Sequence, residues 1–148
     1  MPLPRSIFLL PCAALLASSA FAQTAAPDHK AIIALVNQHA EQYQKVSKQI
    51  WDFAELGYHE QKSSSLLQQQ LMAAGFTVTT PMPDEPTAFV ASYGSGSPVI
   101  GILGEFDALP GLSQASVPDK SPVVDGAPGH GCGHNLLGSA AALAATAL

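Results

Sequence analysis

Two stretches of this sequence hold side chains of the kinds that bind metals or move protons. The first, "GAPGHGCGHNLLGS" at residues 126–139, sets Cys132 and His134 two apart between glycines, with His130 just ahead. Glycines let the backbone take positive φ angles and bring both side chains toward one point. The apolar run that follows reads as a helix, and a helix N-terminus adds positive potential that favours a thiolate. Thiolate and imidazole together are a soft donor pair suited to zinc or a similar transition metal. Cys-x-His is not the spacing of a closed structural zinc site, so the pattern points to part of an assembled one. The second stretch, "GILGEFDALPG" at 101–111, carries Glu105 and Asp107 at the end of an apolar run. Residues two apart on a strand face the same way. Ligands of α/β sheets bind beyond the carboxyl ends of the strands, which makes this acid pair a candidate for metal or proton work. An acidic strand end in water is the plain alternative.

Other readings of the cysteine stay open on the residues alone. Cys132 can be an inert buried thiol, or a nucleophile with His134 or His130 as its base. A phosphate cradle is set aside, because no G-x-G-x-x-G is present and the stretch from Gly133 to Gly138 lacks the lysine of a P-loop.

The elements that must position these groups follow from periodicity. Residues 28–56 read as a helix: Asp28 can cap it, Ile32, Leu35, Val36, Ala40, Tyr43, Ile50 and Phe53 recur at three- and four-residue steps, and Gly57 ends it. A second helix runs from the serines at 63–65 through "LLQQQLMAA", with Gly75 where a left-handed residue is needed. "FTVTT" reads as a strand. Residues 87–93 and 98–106 read as two strands joined by a Gly-Ser turn into a hairpin. Val99, Ile100, Ile102 and Leu103 do not alternate strictly, as expected of a strand covered on both faces in the middle of an α/β sheet. Residues 108–131 form a long loop rich in proline, glycine and serine, of a length that serves function or is mobile. "HNLLGSAAALAATAL" closes the sequence as a helix apolar nearly all round, with Gly138 and Ser139 permitting close approach to a neighbour. Such a helix needs covering on several sides, so the chain is expected to be the front piece of a longer protein. The fold class is α/β.

The first 22 residues carry Arg5, an apolar run and an Ala20-Phe21-Ala22 ending, the pattern of a cleavable secretory signal. Pro11 interrupts a run already too short to cross a bilayer. Cys12 lacks the small neighbours that lipid anchoring wants, so no membrane anchor is expected after cleavage. The expected location is exported, periplasmic or secreted, with the mature chain at 23–148. That chain keeps five lysines and no arginine against eleven carboxylates, a formal charge of −6 that argues against nucleic acid as a partner. Cys132 is then the one cysteine left, with no internal disulfide partner in an oxidising compartment. It must be buried, paired between molecules, or ligated.

Taken in order, "QIWDFAELGYHEQKSS", "LMAAGFTVT", "AFVASYGSGSPVIGILGEFDALPGLSQ" and "GAPGHGCGHNLLGSAA" resemble the metal-dependent amidohydrolases of the M20 peptidase group. The resemblance implies the N-terminal part of an M20-type catalytic domain, a central sheet flanked by helices, without the lid and dimerisation domain. It implies hydrolysis of an amide bond in an acyl- or aroyl-amino acid such as p-aminobenzoyl-glutamate. A divalent transition metal, zinc or manganese, would polarise the carbonyl and activate a water while a glutamate acts as general base. It carries metal binding to Cys132 and His134 and an orienting role to Asp107. Glu105 falls where aminoacylase-like relatives place a metal-binding histidine, a substitution that argues against Glu105 as a ligand and, with His130, leaves it a supporting residue. The resemblance puts the general base and the remaining ligands downstream, and this sequence has no glutamate after Glu105 and no histidine after His134. Two protein ligands fall short of the three that an open catalytic site uses. The chain by itself is therefore expected to lack activity, with a homodimer or a second subunit in the full-length protein. A non-catalytic binding or structural remnant of the same fold is the alternative.

Overall fold

The computed structural model describes residues 28–80 and 82–148; the expected signal at 1–22 lies outside them. Three helices pack around a small core, with one short antiparallel sheet at the side. No described helix is long and apolar enough to cross a membrane.

Helix α1 spans His29–Phe53, and the Asp28 side chain accepts from the Lys30 amide at 3.2 Å to cap it. It ends earlier than periodicity suggests. Ala54, not Gly57, takes the left-handed conformation, at φ 45°, and its amide closes on the Ile50 carbonyl. The reason lies just beyond: the Glu55 carbonyl accepts from the Ala108 amide at 2.7 Å, so the chain must leave the helix before Gly57 to reach that partner. Only the second half of α1 is buried, through Tyr43, Val46, Ser47 and Ile50.

Helix α2, Gln61–Ala73, gets its N-terminal cap from a distance. The Glu55 carboxylate accepts from the amides of Lys62 and Ser63, at 3.1 and 2.9 Å, and from the Ser63 hydroxyl at 2.8 Å. Those amides have no partner within their own helix, and a carboxylate there also suits the positive end of the helix dipole. At the other end Gly75 is left-handed as expected, at φ 93°, with Phe76 and Gly75 amides returning to the carbonyls of Leu71 and Met72.

The strands differ from expectation. β1 (Thr77–Thr79) pairs antiparallel with β2 (Val90–Ser92), in the register Thr77 to Ser92 and Thr79 to Val90. Thus β2 spends its pairing edge on β1 rather than in a hairpin with 98–106. The 98–106 run forms no strand with any described residue, and Val99, Ile100 and Leu103 stand 88, 75 and 83% exposed. The expectation of a strand covered on both faces is corrected to this extent. Helix α3 (His134–Ala147) lies against the run at 104–106, and the Phe106 ring stacks on Phe89. The described residues therefore make a partial α/β domain, three helices with a two-stranded sheet.

Helix α3 packs on both α1 and α2, and Tyr43, Val46, Ile50, Leu67, Leu71 and Ala142 form the buried centre. Small residues make this close approach possible. A Cβ on Gly138 would come 2.7 Å from the Glu105 carbonyl oxygen, and one on Gly104 would come 2.9 Å from Ala141 Cβ. Tyr43 and Thr146 share a hydrogen bond of 2.8 Å between α1 and α3. Burial raises the Tyr43 hydroxyl above the ordinary phenol value, an effect the Thr146 bond partly opposes. The folded state holds that proton more tightly than the unfolded chain does. Its contribution is present below about pH 10 and is lost as pH climbs through the folded value. Urea unfolding at pH 8 and pH 11 is expected to show a smaller alkaline loss of stability in Tyr43→Phe than in the native chain.

Candidate metal centre

The long loop does two things that composition did not reveal. It pairs with itself, Leu109 and Gly129 exchanging both backbone hydrogen bonds at 2.9 and 3.0 Å, and Ser113 donating to the Ala127 carbonyl at 2.8 Å. This brings the start of the loop, just after Asp107, against its end, just before His130. Gly129 is forced by that contact, since a Cβ there would fall 1.9 Å from the Leu112 carbonyl oxygen. A second tie is a parallel bridge between Leu56 and Ala108, which sets the turn after α1 beside Asp107.

Three candidate residues meet where these ties converge. His134 is the first residue of α3, and Gly133 before it is left-handed at φ 77°, a backbone that a Cβ disfavours. The His134 imidazole is held on both edges: Nδ1 lies 2.7 Å from Asp107 Oδ1 and Nε2 lies 2.9 Å from Glu105 Oε2. The ring is largely buried, Asp107 about one-third exposed and Glu105 half exposed, so the group opens to solvent on the Glu105 side. One donor atom from each of the three lies within 4.8 Å of the others. The two-residue spacing of the acids thus does what strand geometry implied, although the partner they share is a histidine 27 and 29 positions away.

His130 plays a different part. It is 5% exposed, Nε2 lies 2.9 Å from the Ile50 carbonyl oxygen, and the ring stacks on Trp51. Because a carbonyl only accepts, Nε2 carries the hydrogen and Nδ1 the lone pair. Burial holds the His130 imidazole below the ordinary histidine value, with the Ile50 carbonyl pulling it partly back. A neutral ring pinned to the end of α1 anchors the Gly-rich turn. Asn135 adds a second anchor, donating to Ser47 Oγ at 3.1 Å one turn earlier on α1.

Cys132 stands exposed at the outer side of that turn, as a free thiol, outside the Glu105–Asp107–His134 group. Neither imidazole is hydrogen-bonded to it: both His134 nitrogens face carboxylates, and His130 faces Ile50. Two residues that shape the site escaped the sequence reading. Glu55 fixes the turn beside Ala108, and its local signal was the run of serines at 63–65 eight residues on. Gly129 sat unremarked among many loop glycines.

Comparison with known proteins places these observations. No family model matches the chain. It is 50% identical over 109 residues to a subunit of the p-aminobenzoyl-glutamate hydrolase of Escherichia coli (strain K12), covering 73% of this chain and 23% of that protein. It is 32% identical over 124 residues to the Xaa-Arg dipeptidase of Homo sapiens, covering 74% of this chain and 24% of that protein. The chain spans about a quarter of the length of the curated relatives it matches. The resemblance to the M20 amidohydrolases drawn from the sequence is thereby borne out, and over most of its own length the chain is a relative of hydrolytic enzymes.

Proposed function

We propose that this chain is the N-terminal part of the catalytic domain of an exported, metal-dependent M20-type amidohydrolase that cleaves an acyl- or aroyl-amino acid of the p-aminobenzoyl-glutamate kind. One observation carries the reading: a histidine held through Nδ1 by a carboxylate, in a chain 50% identical over 109 residues to one subunit of a hydrolase of that substrate. Metal-binding histidines are held in this way, the carboxylate behind the ring fixing the tautomer and leaving Nε2 as the ligand atom. The residues present therefore fit a divalent transition metal, zinc or manganese, with His134 and Cys132 as the ligands that the family relation implies. When bound, the metal would polarise the scissile carbonyl and favour ionisation of a water. Asp107 holds the His134 ring and its proton in place. His130 and Asn135 keep the Gly-rich turn seated on α1, so that Cys132 is two residues from a fixed imidazole. Glu105 sets negative charge on the open side.

The general-base glutamate and further ligands are assigned to the remaining length of the protein, as is a lid and dimerisation domain. A second subunit is a natural partner, since the bacterial relative is itself named as one subunit of its enzyme. The location proposed is periplasmic or secreted. A non-hydrolytic binding role is the second reading, favoured by the position of Cys132 outside the carboxylate–histidine group.

The test is metal content and amidase activity of the purified full-length protein on p-aminobenzoyl-glutamate. The expected result is about one metal or more per protomer, with hydrolysis lost in chelator and restored by zinc or manganese. Full activity from a metal-free protein would overturn the proposal.

A further inference from the structure

We infer that the stretch following Leu148 in the full-length protein continues helix α3 and lies along the first half of α1, covering the apolar face of Ile32, Val36 and Ala40. The inference draws on the amidohydrolase reading above only for the further chain assigned there to the full-length protein, this chain being about a quarter as long as its relatives.

One stripe of α1 is covered along only part of its length. Ile32, Val36, Ala40, Tyr43, Ser47 and Ile50 recur at steps of three and four, so they line one side of the helix. Tyr43, Ser47 and Ile50 are buried, whereas Ile32, Val36 and Ala40 are only partly buried and Leu35 beside them is 40% exposed. The boundary falls where α3 runs out. Near its start α3 reaches α1 through Asn135, which donates to Ser47 Oγ at 3.1 Å, and near its end through Thr146, which shares its 2.8 Å bond with Tyr43. From first turn to last, α3 therefore travels toward the N-terminal end of α1, and Thr146 stands at the last covered position of the stripe.

The last turn of α3 carries no stop signal. It has no glycine or asparagine to take a left-handed residue, and no basic side chain to meet its last carbonyls. Ala147 in that turn is 2% exposed, so the helix is still seated against its neighbours there. At about 1.5 Å per residue the stripe from Tyr43 back to Ile32 is about 16 Å long, so about three further turns of α3 reach its far end. A segment already tethered beside the face meets it at a high effective concentration, an advantage that a second copy of the chain lacks. The uncovered half of the stripe is thus the continuation of the α1–α3 contact.

The test is a photoreactive benzoylphenylalanine placed at Val36 of the full-length protein, irradiated and then mapped by peptide mass. The expected result is an adduct within one molecule, to a residue in the first fifteen or so, about four turns, after Leu148. Leu35, on the flank of the same face, is the second position if the larger side chain at 36 disturbs folding; circular dichroism checks that the helices persist. An adduct between two protomers would mean that a second copy covers the face, and it overturns the inference. So does an adduct to residues before His29 or to a distant part of the chain, and so does the absence of any adduct at both positions in folded protein. None of these readouts involves bound metal or hydrolysis, so the amidohydrolase reading stands or falls separately by the metal and activity measurements above.

Discussion

On the amidohydrolase reading proposed above, Asp107→Asn is expected to leave the protein folded and to lower the metal affinity and amidase activity of the full-length protein by about 10–100-fold or more. The substitution is nearly isosteric and the site is partly open, so helix content and the unfolding midpoint should barely move. The chemistry changes because an amide can donate where a carboxylate cannot. With Asn at 107 the side-chain NH₂ can turn toward His134 Nδ1, and the ring then settles with its hydrogen on Nε2. That is the atom the metal needs. The negative charge that steadies the ring once it is ligated also disappears. Metal titration of Asp107→Asn and Asp107→Glu proteins separates the two effects. If charge dominates, the glutamate variant recovers affinity; if position dominates, both variants stay weak. Native affinity in Asp107→Asn would show that the 2.7 Å contact has no bearing on ligation.

Gly129→Ala is expected to destabilise the fold by about 3 kcal/mol or more, beyond the usual range for an overpacked position. Ordinary overpacking is relieved by shifting side chains. Here the new methyl group would meet backbone, 1.9 Å from the Leu112 carbonyl oxygen and 2.4 Å from its carbon, so a strand of the loop has to move. The movement would part Leu109 from Gly129 and break two hydrogen bonds. It would also draw the His130–His134 turn away from Asp107. A shift of about 1 Å between catalytic partners can by itself cost about 100-fold in rate. Urea denaturation and metal titration of the same variant read the two consequences. A native unfolding midpoint would mean that the loop pairing is not part of the stable structure.

Helices were the most legible part of the sequence, because the burial pattern of α1 and the glycine end of α2 are local properties. Even so, α1 stops at Ala54 instead of reaching Gly57. Composition favours glycine for the left-handed residue, but the bond from Ala108 to Glu55 is made by a segment more than fifty positions away. The 98–106 run misled for a similar reason. Its Val and Ile content states that it suits a sheet, and says nothing of which strand will be there to pair. In the site, the spacing of Glu105 and Asp107 predicted a shared direction, and both do reach one partner. Cys132 and His134 sit two apart in a glycine-rich turn, and in that turn the thiol is exposed while the imidazole is largely buried against Asp107. His130 was visible as a histidine, but its burial against Ile50 and Trp51 comes from the packing of the turn on α1, which no motif encodes.

The run that delivers Glu105, unpaired among the described residues, also bears on what this stretch can associate with. "PVIGIL" is short, β-branched, uncharged and, after its first residue, free of proline, the profile of segments that stack into intermolecular sheets. With Val99, Ile100 and Leu103 exposed among the described residues, the run offers its edge to whatever strand meets it, another part of the full-length protein or a like segment. Sheet pairing and the placement of Glu105 beside His134 thus depend on one short run. A lysine placed at the exposed Val99 would discourage such stacking while standing well clear of Glu105 along the chain, whereas a change nearer to Gly104 would trade one property against the other.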